Sequence, residues 1–235
     1  MAFIFGICVI LAIIVLNIYI LNIYNKKNHK FHGYGHANKK LKRNGLHNGI
    51  VVFGSARIPD SDPHIKEIEE ISELCAKRIK SQNKKISFIT GDGPSVMTAW
   101  LKPAAKVGIQ TAGFSITLPF EEDTSGYSND KISYTFTNFP ARKQTMFDYA
   151  IAYVVFKGGF GTMDELFNLL IYITTNRAQK KPIFIYPKSF YKDVLNFDKF
   201  IENKTIDESS AKLLTYFDTK EELLNALYDI IDKNV

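Results

Sequence analysis

The chain has 235 residues, of which 46% are hydrophobic and 23% charged, a length that suits one globular domain with a short additional segment. This composition excludes a wholly disordered chain, and the two cysteines exclude a disulfide framework or a four-cysteine zinc site. All five histidines lie within the first 64 residues and there is no GxSxG motif, so a Ser-His-Asp hydrolase is not expected.

The net charge of +6 is concentrated near the N-terminus. Residues 1–59 contain eight lysines and arginines and no acid, whereas residues 60–235 contain 22 basic and 24 acidic residues. The longer part of the chain is therefore nearly neutral, and we expect no nucleic-acid partner.

The segment from Ala2 to Tyr24 is uncharged and almost entirely apolar. As a helix it spans roughly 35 Å, which is enough to cross a bilayer. A cleaved signal peptide and a buried core helix are the alternatives, but no basic residue precedes the run and bulky side chains fill its end. Because seven Lys and Arg residues lie between positions 26 and 43, we expect a single-pass transmembrane anchor over 1–24, with the following domain facing the cytoplasm.

Residues 25–48 are rich in Asn, Lys, His and Gly and lack a hydrophobic period. This composition predicts a flexible basic linker that lies on an anionic membrane surface. Its histidines, His29, His32 and His36, are interpreted as solvated tail residues and not as a metal site. Residues 49–235 then form the single folded domain.

Short apolar runs alternate with helical patterns from residue 50 onward. Strands are predicted at 50–54, 86–90, 111–117, 133–136, 151–156 and 182–186, and helices near 63–81 and 94–107, from about Pro140, near 161–176 and in two closing segments. This alternation predicts an α/β, Rossmann-like three-layer fold in which a mostly parallel sheet is flanked by helices. Ligands of such folds bind beyond the carboxyl ends of the strands.

The loop after the fifth predicted strand, KGGFGT, is rich in glycine but is neither a dinucleotide fingerprint nor a P-loop. Its glycines allow several backbone N–H groups to surround one anion, and Thr162 adds a hydroxyl at the start of a helix. A tight strand-to-helix turn without a ligand explains the same residues, so the loop alone leaves both interpretations open.

The helix after this loop is predicted to bury one apolar stripe, formed by Met163, Leu166, Phe167, Leu170 and Ile171. Glu165 is placed in its first turn, off that stripe, where a carboxylate also complements the helix dipole. On the preceding helix, Arg142 shares a face with Met146 and Tyr149, although an isolated arginine is more often a surface charge. Position alone therefore assigns neither Arg142 nor Glu165 a chemical role.

The segment FPARKQTMFDYAIAYVVFKGGFGTMDELFNLL resembles the signature of the LONELY GUY family, also called the lysine decarboxylase-like Rossmann proteins. That signature is an RK pair, a strand and then PGGxGTxxE, which fall here on Arg142, Lys143 and residues 157–165. Upstream, VVFGSARIP, ITGDGPSVMTAW and GFSITLPFEE resemble further segments of the family in the right order. The resemblance covers roughly residues 50–190.

The resemblance implies an enzyme that hydrolyses the N-glycosidic bond of a nucleoside 5′-monophosphate, AMP-like or cytokinin-type, to free base and ribose 5-phosphate. It implies no metal and no other cofactor, and the sequence offers no independent evidence for a pyridoxal phosphate site. Family members are usually dimers, so we expect a homodimer or a higher homo-oligomer.

The family's site residues transfer onto matching positions of this chain. Breaking the C1′–N bond builds positive charge on the ribose, and Glu165 would stabilise that charge or steer water. Arg142 would stabilise the departing base or orient the nucleotide. The implied substrate-binding residues are Ser55, Gly93, Met97, Lys143, Gly158, Gly159, Gly161 and Thr162, with the glycine loop on the 5′-phosphate.

Three residues depart from the family pattern. Asp92 and Ser95 stand where the family usually has glycines, and Lys157 replaces the proline before the glycine pair. A carboxylate 4 Å from a phosphate costs on the order of 1 to 4 kcal/mol, so Asp92 is expected to oppose substrate binding, with Lys157 as a possible offset. These departures leave a second hypothesis open, a catalytically silent nucleotide-binding or scaffold protein of the same fold.

Overall fold

The computed structural model describes Leu16 and residues 33–118 and 124–234 of the chain. Apart from Leu16, the predicted membrane anchor lies outside these residues. Within the described ranges, no helix has both the length and the apolar composition needed to cross a bilayer.

A seven-stranded, entirely parallel sheet forms the centre of the domain. Its strands are β1 (Gly49–Phe53), β2 (Ser87–Thr90), β3 (Thr111–Ile116), β4 (Tyr134–Phe136), β5 (Ala150–Val155), β6 (Ile183–Ile185) and β7 (Leu214–Tyr216). Their order across the sheet is β4-β3-β2-β1-β5-β6-β7. The predicted α/β fold with a parallel sheet is confirmed, and β7 is an additional strand that the sequence analysis did not identify.

Helices cover both faces of this sheet, as its crossover connections require. They are α1 (Tyr34–Arg43), α2 (Pro63–Ser81), α3 (Val96–Val107), α4 (Phe139–Tyr149), α5 (Phe160–Thr174), α6 (Lys188–Val194), α7 (Phe197–Glu202), α8 (Glu208–Ala211) and α9 (Lys220–Lys233). A 3-10 turn at Asp130–Ile132 precedes β4.

The strands are apolar on both sides because each face of the sheet supports its own core. Along β1, Ile50 and Val52 belong to one buried cluster, and Val51 and Phe53 belong to the other. Both cores are therefore built from the same short apolar runs that identified the strands in the sequence.

Helix α1 falls in the region predicted to be a flexible linker, and that prediction is wrong for residues 34–43. Ala37 and Leu41, one helical turn apart, are fully buried against the domain. Lys40 Nζ donates hydrogen bonds to the backbone oxygens of Asp130 and Ser133 at 2.8 and 2.7 Å. Ala37 and Leu41 are the two buried apolar residues of α1. Two residues are too few to give a recognisable hydrophobic period in the sequence.

The buried side of α5 also differs from the prediction. Leu166, Leu169 and Ile173 are buried, whereas Ile171 of the predicted stripe is 56% exposed. Apolar residues occur around most of this helix, so its sequence is compatible with several buried faces, and docking against the sheet selects one of them.

Candidate functional site

A cleft of about 500 Å³ opens beyond the carboxyl ends of β1 and β5. The loop after β1, the glycine loop after β5 and single residues of other helices form its walls. Its lining residues are Gly54, Ser55, Ala56, Arg57, Met97, Arg142, Gly158, Gly159, Phe160, Gly161, Thr162, Met163, Glu165 and Val194. A cleft in this position is where parallel α/β folds bind ligands.

Backbone hydrogen bonds join the loops that form the cleft. Ser55 N–H donates to Lys157 O at 3.0 Å, which ties the loop after β1 to the loop after β5. Val96 N–H donates to Ser55 O at 3.2 Å and connects the start of α3 to the loop after β1. Three loops that are distant in sequence thus form one wall.

The glycine loop runs into the N-terminus of α5, where the helix dipole and free N–H groups favour an anion. A Cβ at Gly158 would collide with the side chain of Thr162, so glycine lets that side chain pack against the loop. A Cβ at Gly159 or Gly161 would meet no described atom within 4 Å. None of the three glycines has a positive φ, so the collision at Gly158 is the one steric requirement for glycine that the described residues of this loop show.

Arg142 lies on the wall of the cleft and is only 8% exposed. Its Nε donates to Phe114 O in β3 at 2.5 Å, and its Nη1 lies 3.3 Å from Glu165 Oε1. Gly91 makes room for the guanidinium, because a Cβ there would collide with Arg142 Nη2. The interpretation of Arg142 as a surface charge is therefore wrong.

Glu165 faces Arg142 from the second turn of α5, and not from the first turn as predicted. Its side chain is 12% exposed. Burial raises the pKa of Glu165, and the charge of Arg142 opposes that rise. The Glu165 carboxyl group thus lies beside a cation in a largely buried position, where its charge acts more strongly on a bound ligand than it would in bulk water.

Two of the predicted substrate-binding residues do not line the cleft. Lys143 Nζ donates to both carboxylate oxygens of Asp164 at 2.8 Å. Gly93 lies behind Met97, whose sulfur accepts from Gly93 N–H at 3.3 Å. All the other predicted site residues lie together around the cleft.

Asp92 and Ser95 both have a positive φ, of 66° and 61°, which is a conformation that glycine adopts most easily. The Asp92 carboxylate accepts hydrogen bonds from Ser125 Oγ at 2.6 Å and Ser128 Oγ at 3.0 Å. It lies where a side chain at Gly113 would stand and does not line the cleft. The expected repulsion between Asp92 and a phosphate in the cleft is therefore not supported.

The Lys157 side chain likewise does not line the cleft. Its charge acts on the buried His64, whose pKa is lowered to about 4 by burial first and by Lys157 second. The role considered for Lys157, offsetting Asp92 at a phosphate, thus has no structural basis.

The structure adds lining residues that the sequence analysis did not select, notably Arg57 and Phe160. Arg57 follows Ser55 in the loop after β1, and Phe160 occupies the variable position of the GGFGT motif at 96% exposure. Their positions next to motif residues in the sequence could have identified both of them as residues of the cleft. In the described ranges, no three His, Cys, Asp or Glu side chains are arranged to hold a metal.

The parallel sheet and the glycine loop beside a buried Arg-Glu pair define a Rossmann-like protein with a cleft at the N-terminus of α5. This chain belongs to the family described as possible lysine decarboxylase, whose family model matches residues 97–227. That match contains the Arg142–Glu165 pair and the glycine loop, and it confirms the resemblance drawn from the sequence. No curated protein matches the chain significantly.

Solved structures share the fold at low sequence identity. Two structures of the molybdenum cofactor carrier protein from Chlamydomonas reinhardtii are 19% and 18% identical, with TM-scores of 0.54 and 0.52, and each match covers 80% of this chain and 99% of that one. The molybdenum cofactor binding protein from Rippkaea orientalis is 19% identical with a TM-score of 0.49, over 78% of this chain and 95% of that one. The two Chlamydomonas matches, with TM-scores above 0.5, show a similar fold, and identities this low do not show a shared activity.

Proposed function

We propose that the protein is a phosphoribohydrolase that cleaves the N-glycosidic bond of nucleoside 5′-monophosphates. The observation that carries this proposal is the Arg142–Glu165 pair, 3.3 Å apart on the wall of a cleft that also contains the glycine loop at the N-terminus of α5. In this arrangement one nucleotide places its 5′-phosphate at the glycine loop and its ribose beside the Arg142–Glu165 pair.

In this proposal one set of residues binds the 5′-phosphate of the nucleotide and another set acts on the bond between the ribose and the base. The free N–H groups at the start of α5 and the Thr162 hydroxyl hold the 5′-phosphate. Glu165 stabilises the positive charge that develops at C1′ as the bond to the base breaks, and it orients the attacking water. Arg142 stabilises the negative charge on the departing base.

The proposal is tested by incubating the full chain in detergent with AMP, GMP, CMP, UMP and an isopentenyl-modified AMP. Release of free base and ribose 5-phosphate from any of them is the expected result. Binding of a nucleotide without release of base would reject the enzyme and support the alternative, a silent nucleotide-binding protein. The carriers of the same fold are a reason to measure binding and turnover separately.

Replacing Gly159 with Val is expected to abolish binding of a 5′-monophosphate, measured by calorimetry. The fold should survive, because Gly159 has a φ of −102° and no described atom near its Cβ position. The branched side chain would instead occupy space beside the proposed phosphate. Gly35→Val, at a similarly open position in α1, is the control. Unchanged affinity in a folded Gly159→Val variant would place the phosphate elsewhere.

We further propose that residues 1–24 anchor the protein and that its folded domain faces the cytoplasm. The uncharged segment 2–24 and the seven basic residues after it support this proposal. The full chain should stay in the membrane fraction through a high-salt wash, and deletion of residues 2–24 should release it. Secretion of a chain cut near residue 20 would contradict the anchor.

We also propose that the protein forms at least a dimer. Large apolar side chains are exposed on α5, α6 and α7, namely Phe160 (96%), Ile171 (56%), Val194 (48%) and Phe200 (39%). Sedimentation of the detergent-solubilised chain should give a mass of two chains or more, and Ile171→Asp should lower it. Leu74→Asp, at a 39% exposed leucine of α2, is the control. An active monomer would contradict the proposal.

A further inference from the structure

The edge of the sheet opposite the cleft is formed by the amino ends of the strands, and α1 lies against it. Lys40 of α1 bonds the backbone of Asp130 and Ser133, just before β4. Gly45 O, just after α1, accepts from the side chain of Gln110, just before β3. The N-terminal segment therefore joins the domain on the side away from the cleft.

This amino edge carries six exposed cations from three separate segments. They are Lys39, Lys42 and Arg43 of α1, Lys85 before β2, and Arg177 and Lys180 before β6. Within the described residues, none of the six forms an ion pair with a carboxylate. Fewer acids lie at this edge: Asp130 precedes β4, Asp148 precedes β5, and Asp207 and Glu208 precede β7. Glu208 pairs with Lys212, and Asp232 of α9 pairs with Arg78.

The carboxyl edge carries no such excess of positive charge. Its described loops contain Arg57 and Lys157 against Asp60 and Asp62, while Asp92 is buried and Asp218 pairs with Lys188. The described residues thus present positive charge on one edge of the sheet and nearly balanced charge on the edge with the cleft.

We propose that the amino edge of the sheet, including α1, docks on an anionic phospholipid bilayer and that the cleft faces away from it. The inference rests on the proposed anchor. Residues 25–33 link the apolar segment to α1 and span at most about 30 Å, so α1 stays near the membrane surface. Basic groups there are attracted to anionic lipid within a Debye length of about 8 Å, whereas the balanced charge of the carboxyl edge gives no such attraction.

This orientation has a consequence for the proposed substrate. A nucleotide phosphate is repelled by anionic lipid, so a cleft turned toward the bilayer would be less accessible to it. With the amino edge on the lipid, the cleft opens to bulk solution.

The test places a fluorophore on either edge of the full chain, reconstituted in vesicles whose lipid headgroups carry a quencher. The labelled sites are Gln179→Cys at the amino edge and Asp60→Cys at the carboxyl edge, both in a Cys8→Ser background that leaves only the buried Cys75. Phosphatidylserine vesicles should quench the Gln179→Cys label at least about threefold more than phosphatidylcholine vesicles, and high salt should remove the difference. The Asp60→Cys label should not respond to the lipid.

A triple substitution tests the basic helix itself. Lys39→Gln/Lys42→Gln/Arg43→Gln should reduce quenching of the amino-edge label, whereas Lys66→Gln/Lys77→Gln/Lys106→Gln, on exposed positions of α2 and α3, should not. Equal quenching of both labels, no response to phosphatidylserine, or no effect of the first triple variant would overturn the docking proposal. Displacement of the quenching by single-stranded RNA would assign the surface to nucleic acid instead. Release of the chain at high salt would contradict the anchor, while the labels at low salt would still report the docked edge.

Discussion

Replacing Glu165 with Gln is expected to lower turnover by about 100-fold or more, or roughly 2.7 kcal/mol of transition-state stabilisation. Glutamine keeps the shape of the side chain and an oxygen for Arg142, but it lacks the charge that would stabilise the ribose as the base departs. Nucleotide affinity should change much less, because that positive charge is absent from the bound substrate. Steady-state kinetics and calorimetry on the same preparation measure the two effects.

The neighbouring acid provides a matched control for Glu165. Asp164 precedes Glu165 on α5, pairs with Lys143 and is not among the residues that line the cleft. Asp164→Asn removes a negative charge from the same helix turn and should keep most of the activity. If Glu165→Gln turned over as fast as the unaltered protein, or if both variants lost activity equally, the proposed role of Glu165 would be wrong.

Replacing Arg142 with Ala is expected to raise KM and lower kcat together, with a combined loss in kcat/KM of about 1000-fold or more, or roughly 4 kcal/mol. In the proposed site Arg142 contacts the nucleotide both before and during the reaction, so it contributes to both parameters. Its removal also takes away one hydrogen bond to Phe114 O and the cation beside Glu165. The buried carboxylate then loses the cation that opposes the rise of its pKa, and a smaller fraction of Glu165 is ionised.

Stability has to be separated from chemistry in the Arg142 variant. Removing one partner of a buried ion pair costs about 3 to 5 kcal/mol of folding free energy. The Arg142→Ala variant should therefore unfold at a lower temperature than the unaltered protein. The double variant Arg142→Ala/Glu165→Gln removes the unpaired charge and should recover part of that stability without recovering activity. Arg78→Ala, which removes a surface arginine paired with Asp232, is the control. Recovery of activity in the double variant would show that Arg142 serves the fold and not the reaction.

The order of strands and helices and the position of the cleft could be predicted from the sequence. Each parallel strand is a short apolar run because helices cover both of its faces, and the intervening helices repeat their apolar residues at 3.6 spacing. The glycine loop and the Arg142 and Glu165 positions follow a family motif whose spacing is local in the chain. Strand β7, with the sequence Leu-Thr-Tyr at the edge of the sheet, was not recognised.

The directions of individual side chains were decided by contacts between segments that are distant in sequence. Arg142 and Lys143 are neighbours in the chain, yet Arg142 donates to Phe114 O in β3 while Lys143 pairs with Asp164 outside the cleft. Asp92 turns toward Ser125 and Ser128, because these hydroxyls solvate its buried carboxylate.

The same reason explains the buried face of α5, which was predicted wrongly, and helix α1, which was predicted to be a flexible linker. The sequence of α5 is compatible with more than one buried face, and α1 has only Ala37 and Leu41 to bury. For both helices the buried side exists only once the sheet is assembled, so the sequence determined the elements of this protein and the tertiary structure decided which of their residues meet. The physical reason is that helical periodicity is a local property, whereas burial and ion pairing depend on surfaces that the rest of the chain supplies.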